Sequence, residues 1–259
     1  MKVTLLGTGT SGGVPSLGCT CEVCLSTDPH DKRLRSAAMI ETEKTRILID
    51  AGPDIRQQLL RVPFRKIDGV LITHIHYDHV CGIDDLRPFC IFGDINIYGD
   101  EIVTAGLPHT MPYCFPKDAE KLYPGAPKLK LHTIHPHEHY QVGDIEFVPI
   151  RVMHDKMPIL GYRFGKFAYI TDMKSMGDEE YAYFDGVETL VINALRFEKT
   201  HHSHQLVSDA IEVSRRIGAR QTYFIHVTHQ IGFHDEANKR LPEGFEFGFD
   251  GMEIYVENE

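Results

Sequence analysis

The chain has 259 residues, of which 42% are hydrophobic and 10% aromatic, enough to bury a sizeable core as one large domain or two small ones. Its formal net charge is −10 at pH 7, and 27 Lys and Arg against 37 Asp and Glu disfavour a broad basic surface for nucleic acid. No apolar run approaches the roughly 18 residues of a membrane-spanning helix, and the run over residues 3–6 is too short for a signal peptide. We therefore expect a soluble, cytoplasmic protein without a membrane or nucleic-acid partner.

The first half of the chain alternates short apolar runs with polar turns. The predicted elements are a strand over 2–6, a hairpin of strands over 37–40 and 46–49, a helix over 55–61, a buried strand over 70–72, a short helix over 84–89 and a strand over 95–98. Residues 106–130 contain several prolines and predict an irregular stretch.

The second half repeats this pattern. It predicts strands over 145–152, 160–164, 167–170, 190–192 and 222–225, and a helix over 206–217. Five metal-binding residue types lie at or just past the end of an apolar run: Asp50, His74, His154, Asp172 and His226. We expect a sandwich of two sheets to gather them along one edge. No composition shift marks a linker. We predict a single α/β domain over residues 1–259, with helices outside two mixed sheets.

The densest group of metal-binding side chains follows the predicted strand over 70–72. His74, His76, Asp78 and His79 place three imidazoles and one carboxylate in six positions. His74, His76 and Asp78 share the alternation of an extended segment, whereas His79 falls where a helix would start. Neutral imidazoles and a carboxylate suit zinc, manganese or iron, and two such ions ~3.5–4 Å apart can activate water for hydrolysis. The cluster predicts metal-assisted hydrolysis.

This His-x-His-x-Asp-His pattern after a strand resembles the signature of the metallo-β-lactamase superfamily of metal-dependent hydrolases. Further superfamily motifs follow in order: Asp50 is similar to the early aspartate, His154 to the third metal histidine, Asp172 to the bridging carboxylate and His226 to the last ligand. The resemblance spans nearly the whole chain. It implies a four-layered αββα fold with the site at the edge of the sheet sandwich.

The resemblance also implies a ligand set for two active-site metals, zinc or manganese. One metal is expected on His74, His76 and His154, the other on Asp78, His79 and His226, with Asp172 bridging the two. Asp50 is expected to orient a ligand through a hydrogen bond, as the outer partners of metal ligands generally do.

The glycine-rich segment over residues 7–12 has the spacing of a dinucleotide-binding fingerprint. That fingerprint should open a helix, whereas Gly13, Val14-Pro15 and a cysteine cluster follow here and do not propagate one. The segment instead resembles the N-terminal strand and loop of the ribonuclease Z and phosphodiesterase branch of the superfamily.

Cys19, Cys21 and Cys24 form a second candidate site. Three thiols within six residues suggest a structural zinc that needs a fourth ligand, which the spacing alone does not name; three unligated loop thiols are the alternative. A cluster of this kind occurs in the PhnP-like phosphodiesterases that act on phosphoribosyl cyclic phosphate, completed by a histidine three positions after the last active-site ligand. Here that residue is His229. The chain's ending over 249–254 is also similar to that group.

The segment over residues 201–204 contributes three more histidines. In the PhnP-like group a histidine of this segment faces the phosphate, and the spacing to the last metal ligand indicates His204, with His201 and His202 as competitors. We predict a dinuclear metal-dependent phosphodiesterase acting on a small phosphodiester or cyclic phosphate, with Asp78 and His204 as catalytic residues. Ribonuclease Z-like processing of nucleic acid and a non-catalytic metal-binding module are the alternatives. A homodimer is compatible with the family.

Overall fold

The computed structural model describes residues 1–116 and 122–257. In this part of the chain the strands are Lys2–Gly7 (β1), Ala37–Glu41 (β2), Arg46–Ile49 (β3), Gly69–Leu71 (β4), Ile95–Gly99 (β5), Leu129–Thr133 (β6), Tyr140–Val142 (β7), Ile145–His154 (β8), Met157–Phe164 (β9), Phe167–Ile170 (β10), Thr189–Asn193 (β11), Gln221–Ile225 (β12), Phe245–Phe247 (β13) and Glu253–Tyr255 (β14). The α-helices are Glu22–Leu25 (α1), Ile55–Leu59 (α2), Tyr77–Val80 (α3), Glu101–Thr110 (α4), Val207–Ile217 (α5) and His234–Asn238 (α6). Segments of 3₁₀ helix cover Pro29–Asp31, Ile83–Phe92, Asp178–Phe184 and His229–Ile231.

The strands form two seven-stranded sheets of similar design. The first has the order β14-β1-β2-β3-β4-β5-β6 and the second β13-β12-β11-β10-β9-β8-β7. Strands β3 to β6 are parallel to one another, as are β10 to β13, so within each set the carboxyl ends lie at the same edge of the sheet. Among the described residues, no helix has the length and apolar character needed to cross a bilayer.

Strand residues on both faces of each sheet are buried, which defines four layers. On β3, Ile47 and Ile49 pack between the two sheets, whereas Leu48 packs against the helices outside the first sheet. On β11, Val191 joins the cluster between the sheets, and Ile192 packs toward α5 outside the second. Because side chains alternate along a strand, a sheet buried on both faces needs a layer on each side. The predicted αββα fold is confirmed.

The stretch over residues 106–130 differs from its predicted irregular structure. It includes the end of α4 and the start of β6. Helix α4 is capped by Asp100, whose carboxylate accepts a hydrogen bond from the backbone N–H of Val103. Glycine and proline disfavour a helix, so Gly106 and Pro108 led the sequence pattern to predict an irregular stretch here. Pro108 lies in the last turn of the helix. Residues 117–121 of the stretch lie outside the described residues.

Gly52 allows the turn after β3 to pack directly on α3, which carries Asp78 and His79. A Cβ at Gly52 would overlap the backbone oxygen of Asp78, and the backbone N–H of Ala51 donates to His79 O at 2.8 Å. We expect Gly52→Ala to lower the free energy of unfolding by about 3 kcal/mol, because neither backbone segment can move independently. Denaturant unfolding monitored by circular dichroism measures this.

Gly12→Ala provides the control. A Cβ at Gly12 would meet only Ser16 Oγ, at 3.8 Å, so its unfolding free energy should change by less than about 0.5 kcal/mol. Equal unfolding midpoints for the two variants would show that the close approach at Gly52 does not constrain α3.

Candidate metal centre

Three histidines from the two sheets form the first ligand group, which we call the triple-histidine group: His74, His76 and His154. His74 follows β4, His76 precedes α3 and His154 ends β8, and each offers a ring nitrogen within 4.8 Å of the others. His154 Nδ1 donates hydrogen bonds to the carbonyl oxygens of Asp172 (2.8 Å) and Ser203 (3.0 Å). Carbonyls only accept, so the proton of the neutral ring sits on Nδ1 and its Nε2 is free to bind a metal.

The second ligand group, the Asp172 group, comprises Asp78, His79, Asp172 and His226. Its ligand atoms also lie within 4.8 Å of one another. His226 Nε2 lies 2.9 Å from Asp172 Oδ1, and His79 Nε2 lies 3.3 Å from oxygens of both Asp78 and Asp172. Asp172 also lies within the same range of His154, a member of the triple-histidine group. Its carboxylate therefore stands between the two groups.

Asp50 fixes the ring of His79 from behind. Its buried carboxylate accepts hydrogen bonds from His79 Nδ1 at 2.7 Å and from the backbone N–H of Thr73 at 2.8 Å, with the Thr73 hydroxyl donating as well. The proton is thus held on His79 Nδ1, and Nε2 is directed toward Asp78 and Asp172. Thr73 was not singled out from the sequence, although it opens the histidine motif.

Three residues of the site occupy a backbone region that non-glycine residues rarely adopt. Asp50, Asp172 and His226 have φ values of 62°, 57° and 54°. Each follows the carboxyl end of a parallel strand, where the left-handed conformation turns the chain sharply and directs the side chain across the sheet edge. Such strained residues persist where the surrounding structure fixes them, and they concentrate at functional sites.

The electrostatics of the site favour a bound cation. Burial disfavours the charged forms of His79 and Asp172, but neighbouring charges outweigh this effect at both residues. Asp50 and Asp172 raise the pKa of His79 well above its ordinary value. His226 and His79 hold the pKa of Asp172 well below its ordinary value. Burial lowers the pKa of His74 well below its ordinary value, which keeps that imidazole neutral.

The hydrogen-bonding pattern fits a metal as well. His79 Nε2 and both ring nitrogens of His226 are buried without a hydrogen-bond partner, and the 2.9 Å approach of His226 to Asp172 lacks hydrogen-bond geometry. Buried polar atoms in folded proteins nearly always have a partner. Nitrogen and carboxylate ligands that face each other in this way are suited to holding a metal ion.

The structure distinguishes among the three histidines of residues 201–204. His204 Nε2 lies 3.2 Å from Asp172 Oδ1, and its ring stacks on His226 with centroids 4.7 Å apart. His201 lies behind it, with the two Nδ1 atoms 3.0 Å apart, and His202 is exposed. Burial lowers the pKa of His204 to about 4. The neutral His204 ring is therefore the one that meets the Asp172 group.

The cysteine trio lies together on the loop that includes α1. The sulfur atoms of Cys19, Cys21 and Cys24 are within 4.8 Å of one another, and Cys19 Sγ is 4.0 Å from His229 Nε2. All three are free thiols. His229 begins the 3₁₀ segment after β12, three residues past His226, so one loop faces both the Asp172 group and the cysteine trio.

A four-layered sandwich with histidines and aspartates gathered at one sheet edge defines a metallo-β-lactamase-fold protein. The chain belongs to the β-lactamase superfamily, since the family model described as "Beta-lactamase superfamily domain" matches residues 45–227. It is 42% identical over 258 residues to a protein named octanoyltransferase from Porphyromonas gingivalis. That match covers 99% of this chain but 52% of the relative, so the chain spans about half the length of that protein.

Solved structures extend the comparison. The crystal structure of a diphosphatase from the PhnP family superposes with a TM-score of 0.89 at 36% identity, covering 98% of this chain and 96% of that one. Zinc-bound PqqB from Methylobacterium extorquens superposes with a TM-score of 0.74 at 18% identity, covering 99% of this chain and all (100%) of that one, which shows a shared fold. The resemblance to the PhnP-like branch is confirmed.

Proposed function

We propose that this protein is a dinuclear metal-dependent phosphodiesterase that hydrolyses a small phosphodiester or cyclic phosphate, such as a phosphoribosyl cyclic phosphate. The observation that carries the proposal is the position of Asp172, whose carboxylate lies within 4.8 Å of ligand atoms from both groups. The similarity to a PhnP-family diphosphatase over 98% of the chain supports a phosphorus-centred reaction.

In this proposal the triple-histidine group holds one metal, Asp78, His79 and His226 hold the other, and Asp172 bridges them. Metal ions held there would supply a nucleophile from water at neutral pH and neutralise phosphoryl charge. Asp50 keeps the proton of His79 on Nδ1. The carbonyl oxygens of Asp172 and Ser203 do the same for His154. With the proton of each neutral ring on Nδ1, the Nε2 atoms that would bind the metals carry none.

His204 contributes a hydrogen-bond donor rather than a ligand. Its Nε2 faces the Asp172 carboxylate at 3.2 Å, so the neutral ring carries its proton on that nitrogen. A phosphoryl oxygen placed beside Asp172 can accept the same N–H. A donor fixed by packing against His226 stabilises charge that grows on that oxygen as the phosphodiester is attacked.

A direct assay tests the proposed function. Protein loaded with manganese or zinc should hydrolyse bis-p-nitrophenyl phosphate faster than the metal alone, and chelation should remove the activity. Absence of turnover across several metals and phosphodiesters would favour a non-catalytic metal-binding module.

A second assay addresses the ribonuclease Z-like alternative, which the net charge of −10 disfavours. Precursor tRNA is assayed beside a small cyclic phosphate, and cleavage of the RNA alone would favour that alternative.

We do not extend octanoyl transfer to this chain. The relative that bears that name contains nearly as much sequence outside the match as within it, since the match covers 52% of its length. The groups assembled at the sheet edge here are metal-ligand types, which suit hydrolysis rather than the formation of an acyl-enzyme.

The proposal includes a structural zinc on Cys19, Cys21, Cys24 and His229. We expect Cys21→Ser to remove one equivalent of zinc per chain and to lower the Tm by roughly 5 °C, because the loop would lose its crosslink to the segment after β12. Elemental analysis and thermal unfolding measure the two effects. Cys90→Ser, which replaces a half-buried cysteine outside the trio, should retain the full zinc content. Equal zinc content in both variants would contradict a zinc on the trio.

A further inference from the structure

We propose that Ser203 is a positioning residue that sets the proton positions of two site histidines. Its carbonyl oxygen holds the proton of His154 on Nδ1, and its hydroxyl holds the proton of His204 on Nε2. The catalytic consequence of this arrangement rests on the proposed function, whereas the proton positions themselves do not.

The backbone around Ser203 is anchored to the sheet edge that carries the metal groups. Ser203 is buried in the loop between β11 and α5, two residues before Gln205. The backbone N–H of Gln205 donates to Met173 O at 3.3 Å, and its side-chain Nε2 donates to Asn193 O at 2.9 Å. Its carbonyl oxygen accepts from the backbone N–H of Leu195 at 3.0 Å. These bonds connect the loop to β11 and to the segment after β10, so the serine is held in place beside both ligand groups.

The carbonyl oxygen of Ser203 faces the first histidine. His154 Nδ1 donates to it at 3.0 Å, and a carbonyl can only accept. The carbonyl belongs to the backbone, so a substitution of the serine side chain leaves this bond in place. The contacts of the carbonyl and of the hydroxyl can therefore be tested separately.

The hydroxyl of Ser203 faces the second histidine from the side opposite the Asp172 group. Ser203 Oγ lies 3.0 Å from His204 Nδ1, while His204 Nε2 lies 3.2 Å from Asp172 Oδ1. A carboxylate only accepts, so the neutral ring carries its proton on Nε2, and its Nδ1 needs a donor. The Ser203 hydroxyl is positioned to be that donor.

His201 places a second acceptor against the same hydroxyl. Its Nδ1 lies 3.0 Å from His204 Nδ1 and 3.2 Å from Ser203 Oγ, and it accepts from the backbone N–H of Ser203 at 3.3 Å. Two acceptor nitrogens this close are unfavourable unless a hydrogen lies between them. The serine hydroxyl supplies that hydrogen. Without it, His204 satisfies the contact by carrying its proton on Nδ1 and donating to His201, which leaves Nε2 without a proton.

The proton position matters because His204 Nε2 is the nitrogen that faces the Asp172 group. With the proton on Nδ1, Nε2 presents a lone pair and cannot donate to a phosphoryl oxygen. The ring then has to return its proton to Nε2, at the expense of the hydrogen bond to His201, before it can stabilise the transition state. The loss of one such neutral hydrogen bond corresponds to about 10-fold in kcat.

NMR of the ring nitrogens measures the proton positions directly. Protonated and unprotonated nitrogens of a neutral histidine have separate ¹⁵N shifts, and comparison with His204→Ala assigns the ring in the zinc-loaded protein. We expect the proton of His204 on Nε2 in the wild-type protein and on Nδ1 in Ser203→Ala, whereas His154 should keep its proton on Nδ1 in both. Combining Ser203→Ala with His201→Ala removes the second acceptor, so in this double variant the proton of His204 should return to Nε2.

Steady-state kinetics with bis-p-nitrophenyl phosphate measure the consequence for catalysis. Ser203→Ala should lower kcat by about 10-fold with little change in KM or in metal content, because the carbonyl bond to His154 remains. Ser203→Thr keeps a hydroxyl and should recover most of the lost kcat. Ser208→Ala is the matched control, because it removes an exposed serine hydroxyl in the first turn of α5. It should change neither the proton position of His204 nor kcat.

A His204 ring that keeps its proton on Nε2 in Ser203→Ala would overturn the positioning role, whatever the kinetics show. A shift to Nδ1 that persists in the double variant would also overturn it, since the acceptor nitrogen of His201 would then not be its cause. Failure of the proposed function has a different signature, which is no phosphodiester turnover by the wild-type protein with any metal. In that case the NMR results still decide the role of Ser203.

Discussion

Asp172→Ala is expected to abolish phosphodiester hydrolysis, with kcat/KM reduced by about 10⁴-fold or more, and to lower the content of active-site metal. The physical reason is that one buried carboxylate serves both ligand groups. Its Oδ1 lies 2.9 Å from His226 Nε2, its Oδ2 lies 3.3 Å from His79 Nε2, and it is also within range of His154. Removing it leaves two buried imidazoles without the negative charge that favours a cation between them.

The measurement combines steady-state kinetics on bis-p-nitrophenyl phosphate with elemental analysis after dialysis. Asp155→Ala is a matched control, because Asp155 has a similar left-handed backbone, with φ of 52° against 57° for Asp172, yet its side chain is exposed in the turn after β8. Alanine is disfavoured at positive φ, so both variants are expected to lose a similar amount of stability from backbone strain. Asp155→Ala should keep both activity and metal, and retention of both by Asp172→Ala would refute the shared-ligand assignment.

The fold could be predicted from the sequence because its strands are short apolar runs that stop at polar residues. Asp50, His74, Asp172 and His226 follow such runs, and parallel strands bring their carboxyl ends to one edge. The pattern of apolar runs that end at polar residues therefore predicted both the two-sheet architecture and the sheet edge where these residues gather. Family resemblance then supplied the division of ligands between two groups, which the distances around Asp172 and His154 support.

Other features depend on tertiary contacts that leave no local pattern. Helix α4 contains Gly106 and Pro108, so its helical character depends on the cap at Asp100 and on packing against the first sheet. Hairpin β8–β9 extends to the pair His154 and Met157, beyond the apolar runs that predicted the two strands. The backbone strain at the three site residues is likewise invisible in the sequence.

The choice among His201, His202 and His204 shows the same limit in the site itself. The loop from Ala194 to Leu206 has neither helical nor strand periodicity, so spacing alone favoured His204 without excluding its neighbours. The structure separates them by environment: His204 packs on His226, His201 packs behind His204, and His202 faces solvent. Distances across three loops, which no sequence window contains, make that distinction.

His204→Ala is expected to lower kcat/KM for phosphodiesters by about 100- to 1,000-fold while leaving the metal content intact. The ring lies 3.2 Å from the shared carboxylate, and burial lowers its pKa to about 4, so at neutral pH it offers an uncharged N–H donor. A donor aimed at charge that develops during attack on phosphorus stabilises the transition state more than the bound substrate. The loss should therefore appear mainly in kcat rather than in KM.

Two further variants separate this role from a structural one. His204→Gln retains an N–H donor on a side chain of similar reach and should recover part of the lost kcat, whereas a packing defect would not be rescued in this way. His202→Ala removes an exposed neighbour in the same loop and should leave kcat and KM unchanged. Loss of active-site metal in His204→Ala would instead make His204 a metal ligand, because its ring also lies within 4.8 Å of the ligand atoms of His154 and Asp172. Metal content measured alongside kcat thus decides whether His204 acts on the substrate or on the metal.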